Sequence, residues 1–254
     1  MQVYIAGGYN GCLDCSCPIS PTGPTCEDLS SAELFNPTSQ GFTALPNPMT
    51  TPRRGAVAAS LPDGTVLIAG GFSGGNILSS AEIYDPSTQT FTAVPNSMTT
   101  PRLGAIASSL DAGGVLIAGG CNGSVILSSA EIYDPTTKTF TALPNNMTTP
   151  RMGAVGAVIY GGALIAGGSN GSALLSSVEL FDSQNFILQP FQLNTARNGS
   201  AATTFIGPQP NPGVPSIPFA PPRSVFVFGG QGNSGILDSV EVFRQPQNCP
   251  ACPA

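Results

Sequence analysis

The chain has 254 residues, of which only 9% are charged, and its formal net charge is −6. A face of phosphate-neutralising cations cannot be assembled from that composition, which argues against nucleic acid as a partner. Histidine is absent, so a Ser-His-Asp triad, a Cys-His pair and a histidine-ligated metal are all excluded. No apolar run approaches the roughly 18 residues of a membrane span, so no membrane insertion is expected. The first residues also lack a basic region followed by an apolar stretch and a cleavage site, and no signal peptide is visible.

Taken in order, the chain reads as a repeat. Five glycine pairs close five apolar runs, at Gly7-Gly8, Gly70-Gly71, Gly119-Gly120, Gly167-Gly168 and Gly229-Gly230. Five glutamates follow in the frame Ser-(Ala/Val)-Glu-apolar-(Tyr/Phe): Glu33, Glu82, Glu131, Glu179 and Glu241. In units two to five the second glycine precedes its glutamate by 11 residues, and in unit one by 25, so 14 residues are inserted there. Arg53, Arg102, Arg151 and Arg197 recur at 49, 49 and 46 residues. The units span about 1–52, 53–101, 102–150, 151–196 and 197–244, with a tail at 245–254.

Each full unit predicts four short strands. The first follows Pro-Arg and is made of small residues (GAVAASL), the second is apolar on both faces (TVLIAGG), the third alternates (SAEIYDP) and the fourth carries an aromatic (TFTAVP). Pro-Asp-Gly, Asn-Gly and Asp-Pro supply the turns. A four-stranded sheet that is apolar on both faces needs other sheets on each side, which radial stacking provides. The fold class expected is therefore all-β, a β-propeller of about five four-stranded antiparallel blades. The tally of strands, 3 + 4 + 4 + 4 + 3, leaves the first and last blades incomplete. That is compatible with part of a six- or seven-bladed ring, or with a ring whose tail replaces an outer strand.

The glycine pair, followed by Tyr84 or Tyr133 and an aromatic seven residues on, at a period near 49, resembles the kelch repeat. The wording Pro-Arg-x-Gly-Ala, Val-Leu-Ile-Ala-Gly-Gly and Ser-Ala-Glu-Ile-Tyr-Asp-Pro is most similar to bacterial kelch-repeat proteins. The resemblance implies a propeller like the central domain of galactose oxidase, but without its copper ligands, since those need histidine. Phe stands where the family has Trp, and unit four, with Phe181 followed by Leu188, departs from the pattern.

Two insertions fall on opposite faces. Residues 9–30 join strands two and three and carry Cys12, Cys15, Cys17 and Cys26; residues 207–222 join strands one and two and are proline-rich. Cys249 and Cys252 lie in the tail. The Cys-x-x-Cys pairs at Cys12/Cys15 and Cys249/Cys252 leave disulfides, free thiols, a structural zinc and redox chemistry open, with no other cofactor expected.

The four arginines have two readings. They could ring the mouth of the channel and bind an acidic ligand, or each could pair with a third-strand glutamate as a buried ion pair. Asn122 and Asn170, in Asn-Gly-Ser, are candidate ligand contacts as well as turn residues. For function, the expectation is a non-enzymatic module holding a protein or glycan ligand on a loop face. The alternatives are a carbohydrate-active enzyme using acids near the cysteine loop (Asp14, Glu27, Asp28) and a structural cell-surface or adhesion unit. Further blades or a second chain are conceivable partners, and clustered cysteines with scarce lysine lean towards an extracellular or cell-surface location.

Overall fold

The computed structural model describes residues 3–7, 9–10, 27–206 and 223–245. All regular elements among them are strands. The chain opens with β1 (Val3–Ala6), the short pair β2 (Tyr9–Asn10) and β3 (Glu27–Asp28), then β4 (Ala32–Asn36) and β5 (Gly41–Ala44); β1, β4 and β5 form blade I in that order. Blade II comprises β6 (Val57–Ser60), β7 (Val66–Ala69), β10 (Ala81–Asp85) and β11 (Thr90–Ala93), with the hairpin β8 (Phe72–Ser73) and β9 (Asn76–Ile77) between its second and third strands. Blade III is β12 (Ile106–Ser109), β13 (Val115–Ala118), β14 (Ala130–Asp134) and β15 (Thr139–Ala142). Blade IV is β16 (Val155–Ile159), β17 (Gly162–Ala166), β18 (Ser177–Phe181) and β19 (Phe186–Gln192). Blade V has β20 (Ala201–Ile206), β21 (Arg223–Phe228) and β24 (Val240–Arg244), with the hairpin β22 (Gln231–Gly232) and β23 (Gly235–Ile236).

Three four-stranded sheets are thus flanked by two three-stranded ones. All pairs within the blades are antiparallel, and the inner strands β6, β12, β16 and β20 pack side by side. Small residues on these strands let neighbouring backbones approach. Gly156 shows how closely: a Cβ there would lie 3.1 Å from Ala107 O of the next inner strand.

The hydrophobic core lies between blades rather than within them. Side chains alternate across a strand, so Val115 and Ile117 of β13 join Leu67, Ala69 and Tyr133 between blades II and III, while Leu116 and Ala118 join Ile165 and Phe181 between blades III and IV. That is why the second strands have no polar face: every residue of β13 and β17 is buried. Full burial of each such Leu or Ile contributes about 1.5–3 kcal/mol.

The aromatic pair on strands three and four is a cross-strand contact that covers the preceding blade. Ring centroids lie 4.8 Å apart for Tyr84–Phe91 and for Tyr133–Phe140. Unit four keeps the device although its sequence departs from the pattern. A shorter turn places Phe186, not Leu188, opposite Phe181, again at 4.8 Å, and Leu188 is half exposed.

Candidate functional site

Each of the four repeat arginines meets a repeat glutamate inside one blade. The arginine ends a Thr-Pro-Arg segment (Thr-Ala-Arg at Arg197) before an inner strand, and the glutamate lies on the third strand of the same blade. Arg102 Nη2 is 3.2 Å from Glu131 Oε1, and the same pairing is 3.0 Å for Arg53–Glu82, 3.0 Å for Arg151–Glu179 and 2.7 Å for Arg197–Glu241. All four arginines are 1% exposed. Arg102 Nη1 donates to Gly119 O and Ser129 O, both at 2.8 Å, and Nη2 to Ser129 Oγ at 3.0 Å. Glu131 also accepts the backbone N–H groups of Thr99 at 2.7 Å and Thr100 at 3.1 Å. Burial pulls the guanidinium pKa of Arg102 and Arg53 below the ordinary value, against the opposing pull of the paired carboxylate. The guanidinium groups are therefore spent on protein partners, in the ion-paired arrangement. Each clasp fixes the outer strand of one blade to the inner and third strands of the next.

Just beyond the clasps a chain of glycine peptides crosses from blade to blade. Gly104 N–H donates to Gly55 O at 3.1 Å, Gly153 to Gly104 at 2.9 Å and Gly199 to Gly153 at 2.9 Å. These glycines have φ of +61° to +66°, a left-handed conformation that strains any other residue.

On this rigid frame sits a layer in which the blades differ. The residue after each arginine bridges to the residue after each glycine pair: Arg54 to Phe72, Leu103 to Cys121, Met152 to Ser169 and Asn198 to Gln231. Sequence reasoning passed over these eight positions. The signal was present, because they are places where otherwise repeated words change chemistry. Arg54 lies over the Phe72 ring at 4.2 Å and reaches Asp28 at 3.5 Å, and Asp28 accepts Gly74 N–H at 3.0 Å. Asp28, one of the acids considered for catalysis, is thus engaged with blade II, and Glu27 is an exposed residue of β3. Asp14 lies outside the described residues.

The loops between strands two and three stand above this layer. Asn122 Oδ1 accepts the N–H groups of Ser124 and Val125, both at 3.0 Å, and Asn170 Oδ1 those of Ser172 at 3.0 Å and Ala173 at 2.9 Å. Their carbonyl oxygens thus shape the turns. The same rim exposes two apolar side chains, Val125 at 56% and Ile236 at 93%. Cys121 is buried and disulfide-bonded. The candidate metal or disulfide residues Cys12, Cys15, Cys17, Cys26, Cys249 and Cys252 all lie outside the described residues, as do residues 207–222 and 246–254.

The opposite face carries Asp63, Asp85 and Asp134. A cavity of about 720 Å³ is lined by Asp63, Leu110, Ile132, Asp134 and Ser183 among others. Asp63 accepts the Thr65 hydroxyl at 2.6 Å and its N–H at 2.9 Å, which hold its pKa below the usual carboxylate range. Backbone bonding from Thr136 does the same for Asp134, and the Ser87 hydroxyl for Asp85. A general acid for glycoside cleavage needs a shift in the other direction. Arg223, at the base of the proline-rich insertion, pairs with Asp111 at 2.9 Å and lies over Tyr160 at 4.2 Å.

Five radially packed antiparallel sheets with clasped glycine pairs define a β-propeller. Comparison with known proteins specifies its kind: residues 53–98 and 107–147 match the Kelch motif. The solved structure of YjhT is similar over 96% of this chain and 81% of its own, with a TM-score of 0.69 and 13% sequence identity, a likeness of fold alone. The chain is a β-propeller that carries the Kelch motif in these two repeats. No curated protein matches its sequence.

Proposed function

We propose that this protein is a non-enzymatic binding module that holds a protein ligand on the face formed by the strand two-to-three loops. One observation carries the reading: residues that build the frame repeat from blade to blade, while the bridged pairs Arg54/Phe72, Leu103/Cys121, Met152/Ser169 and Asn198/Gln231 above it are all different. Phe72, Leu103 and Cys121 of this layer are buried, while Arg54, Met152, Ser169, Asn198 and Gln231 reach solvent, and a repeated scaffold with varied accessible positions is suited to recognition, which needs distinct side chains at fixed positions. The exposed Val125 and Ile236 at the rim favour a protein over a glycan, since burial of apolar surface drives most protein–protein association. The downward carboxylate shifts on the opposite face support the non-enzymatic reading. The disulfide at Cys121 supports an oxidising compartment.

The test is selection from a displayed peptide library in parallel with a glycan array. Selected ligands are then re-measured on two variants, Val125→Asp with Ile236→Asp on the loop face and Asp63→Asn with Asp134→Asn on the opposite face. Peptide ligands weakened at least tenfold (about 1.4 kcal/mol) by the first variant alone are expected. Ligands lost only with the second variant, or glycoside turnover by the wild-type protein, would overturn the proposal.

A further inference from the structure

A second cavity on the face opposite the loop rim, of about 250 Å³, lies between blades II and III. Leu61, Ile83 and Val94 supply apolar wall, and Asp63, Asp85, Tyr133 and Lys138 supply polar groups. Three of these polar groups are ones that other repeats do without. Asp63 is in the turn between β6 and β7, and Ala112 holds its place in blade III. The turn closes in the same way there: Gly113 N–H donates to Leu110 O at 2.8 Å, as Gly64 N–H does to Leu61 O at 3.0 Å. Asp85 shapes the turn between β10 and β11 by accepting Ser87 N–H at 2.8 Å, and Asn36 accepts Thr38 N–H at 2.9 Å without a charge. Tyr133 packs on Phe140 at 4.8 Å, and Phe181 makes the same contact with Phe186 with no hydroxyl. Neither the turns nor the packing between blades therefore requires the two charges or the hydroxyl.

Those groups are also left without partners. Tyr133 is only 1% exposed, yet its hydroxyl has no hydrogen-bond partner among the described residues, where buried polar groups are ordinarily paired. It lies within electrostatic reach of Asp63, and Asp63 within reach of Asp85. Each carboxylate uses Oδ1 for its own turn, Asp63 accepting from Thr65 and Asp85 from Ser87. Oδ2 of both accepts no hydrogen bond among the described residues, and neither acid forms an ion pair there. The hydroxyl and N–H groups of Thr65 and Ser87 hold both acids below the usual carboxylate range, so both are charged at neutral pH. Lys138 is exposed and sets one positive charge against two negative ones, which leaves the cavity anionic.

We infer that this cavity binds a small primary alkylammonium ion. An ammonium group has three N–H donors and no acceptor, which matches Oδ2 of Asp63, Oδ2 of Asp85 and the hydroxyl oxygen of Tyr133. The hydrocarbon chain lies against Leu61, Ile83 and Val94, as the stem of a lysine lies on apolar surface. No group of three or more metal-ligating side chains occurs among the described residues, so an organic cation suits the site better than a metal ion. The site is separate from the loop face that holds the protein ligand, and neither reading depends on the other.

The probe is pentylammonium chloride, titrated into the full chain at neutral pH and physiological salt and read by isothermal calorimetry. Saturable binding is expected, with none for the uncharged pentan-1-ol or the anionic pentanoate. Asp63→Asn combined with Asp85→Asn should weaken it at least tenfold, a change of about 1.4 kcal/mol. Asparagine keeps the Oδ1 acceptor of each turn, as Asn36 shows, so the melting temperature should hold. Tyr133→Phe should weaken binding at least about threefold and reads the site independently of the two acids. Asp182→Asn, on the same face but outside the cavity, should leave binding unchanged. No saturable binding by wild-type protein, binding indifferent to both cavity variants, or an equal loss with Asp182→Asn overturns the inference.

Discussion

Replacing Arg102 by Ala tests whether the buried clasp holds the blades together. The substitution leaves Glu131, which is fully buried, with only the N–H groups of Thr99 and Thr100, and it removes the donor to Gly119 O and Ser129 O. Breaking one side of a buried ion pair costs about 3–5 kcal/mol. Gly119 O, left without a donor, adds about 1–3 kcal/mol if water cannot reach it, while Ser129 O keeps the Gly119 N–H at 3.0 Å. A total of at least roughly 4 kcal/mol corresponds to a fall in melting temperature of roughly 8–16 °C for a chain of this size. Differential scanning calorimetry reads this directly, with Arg54→Ala as the neighbouring control. Arg54 contacts Asp28 at only 3.5 Å near the rim, so that variant should lose no more than about 1 kcal/mol. Arg102→Leu combined with Glu131→Leu should recover only part of the loss, because the N–H groups of Thr99 and Thr100 and the carbonyl of Gly119 stay unpaired, although Ser129 O keeps the Gly119 N–H at 3.0 Å. A melting temperature for Arg102→Ala within about 2 °C of wild type, less than 1 kcal/mol at this size, would refute the reasoning.

Gly70→Ala should destabilise more than Gly64→Ala, although both glycines have positive φ. A Cβ at Gly70 would meet Arg102 O at 2.5 Å, where Gly71 N–H also bonds, whereas at Gly64 it meets nothing within 4 Å. Urea unfolding should show a loss of about 1–3 kcal/mol from backbone strain at Gly64 and a larger loss at Gly70. Tyr133 is raised above its ordinary value of 10.0, first by burial and then by Asp63 and Asp134. Its neutral form is favoured on folding, so this contribution is fully present below the unfolded value and is lost as pH rises through the folded one. Tyr133→Phe should therefore make stability less sensitive to alkaline pH and remove a late step from the phenolate absorbance titration; unchanged curves would contradict the assignment.

Much of the architecture can be read directly from the chain. The period near 49, the small residues after Pro-Arg, the wholly apolar second strand and the recurring arginine and glutamate each state a local requirement, and repetition makes each visible several times. Two-faced apolar strands can only be interior, and one arginine and one glutamate per unit in fixed register can meet only one way once the blades form. The fourth unit shows the limit of such reading. Spacing alone pointed past Phe186 because the aromatic is placed by the length of the turn at Asp182–Asn185, which changes the register of β19 against β18.

What tertiary structure decided is how neighbouring units differ in what they touch. Arg53 and Arg54 are adjacent in sequence, yet one is buried in a clasp and the other lies over Phe72 near the rim, because strand direction sends successive side chains to opposite sides. The eight bridged residues became one layer, part buried and part open to solvent, only when the glycine peptides set the spacing between blades. Glu33 is written in the same words as Glu82, Glu131, Glu179 and Glu241. Among the described residues no arginine pairs with Glu33 and it is exposed, a property of its place in the fold that its own stretch of sequence does not carry.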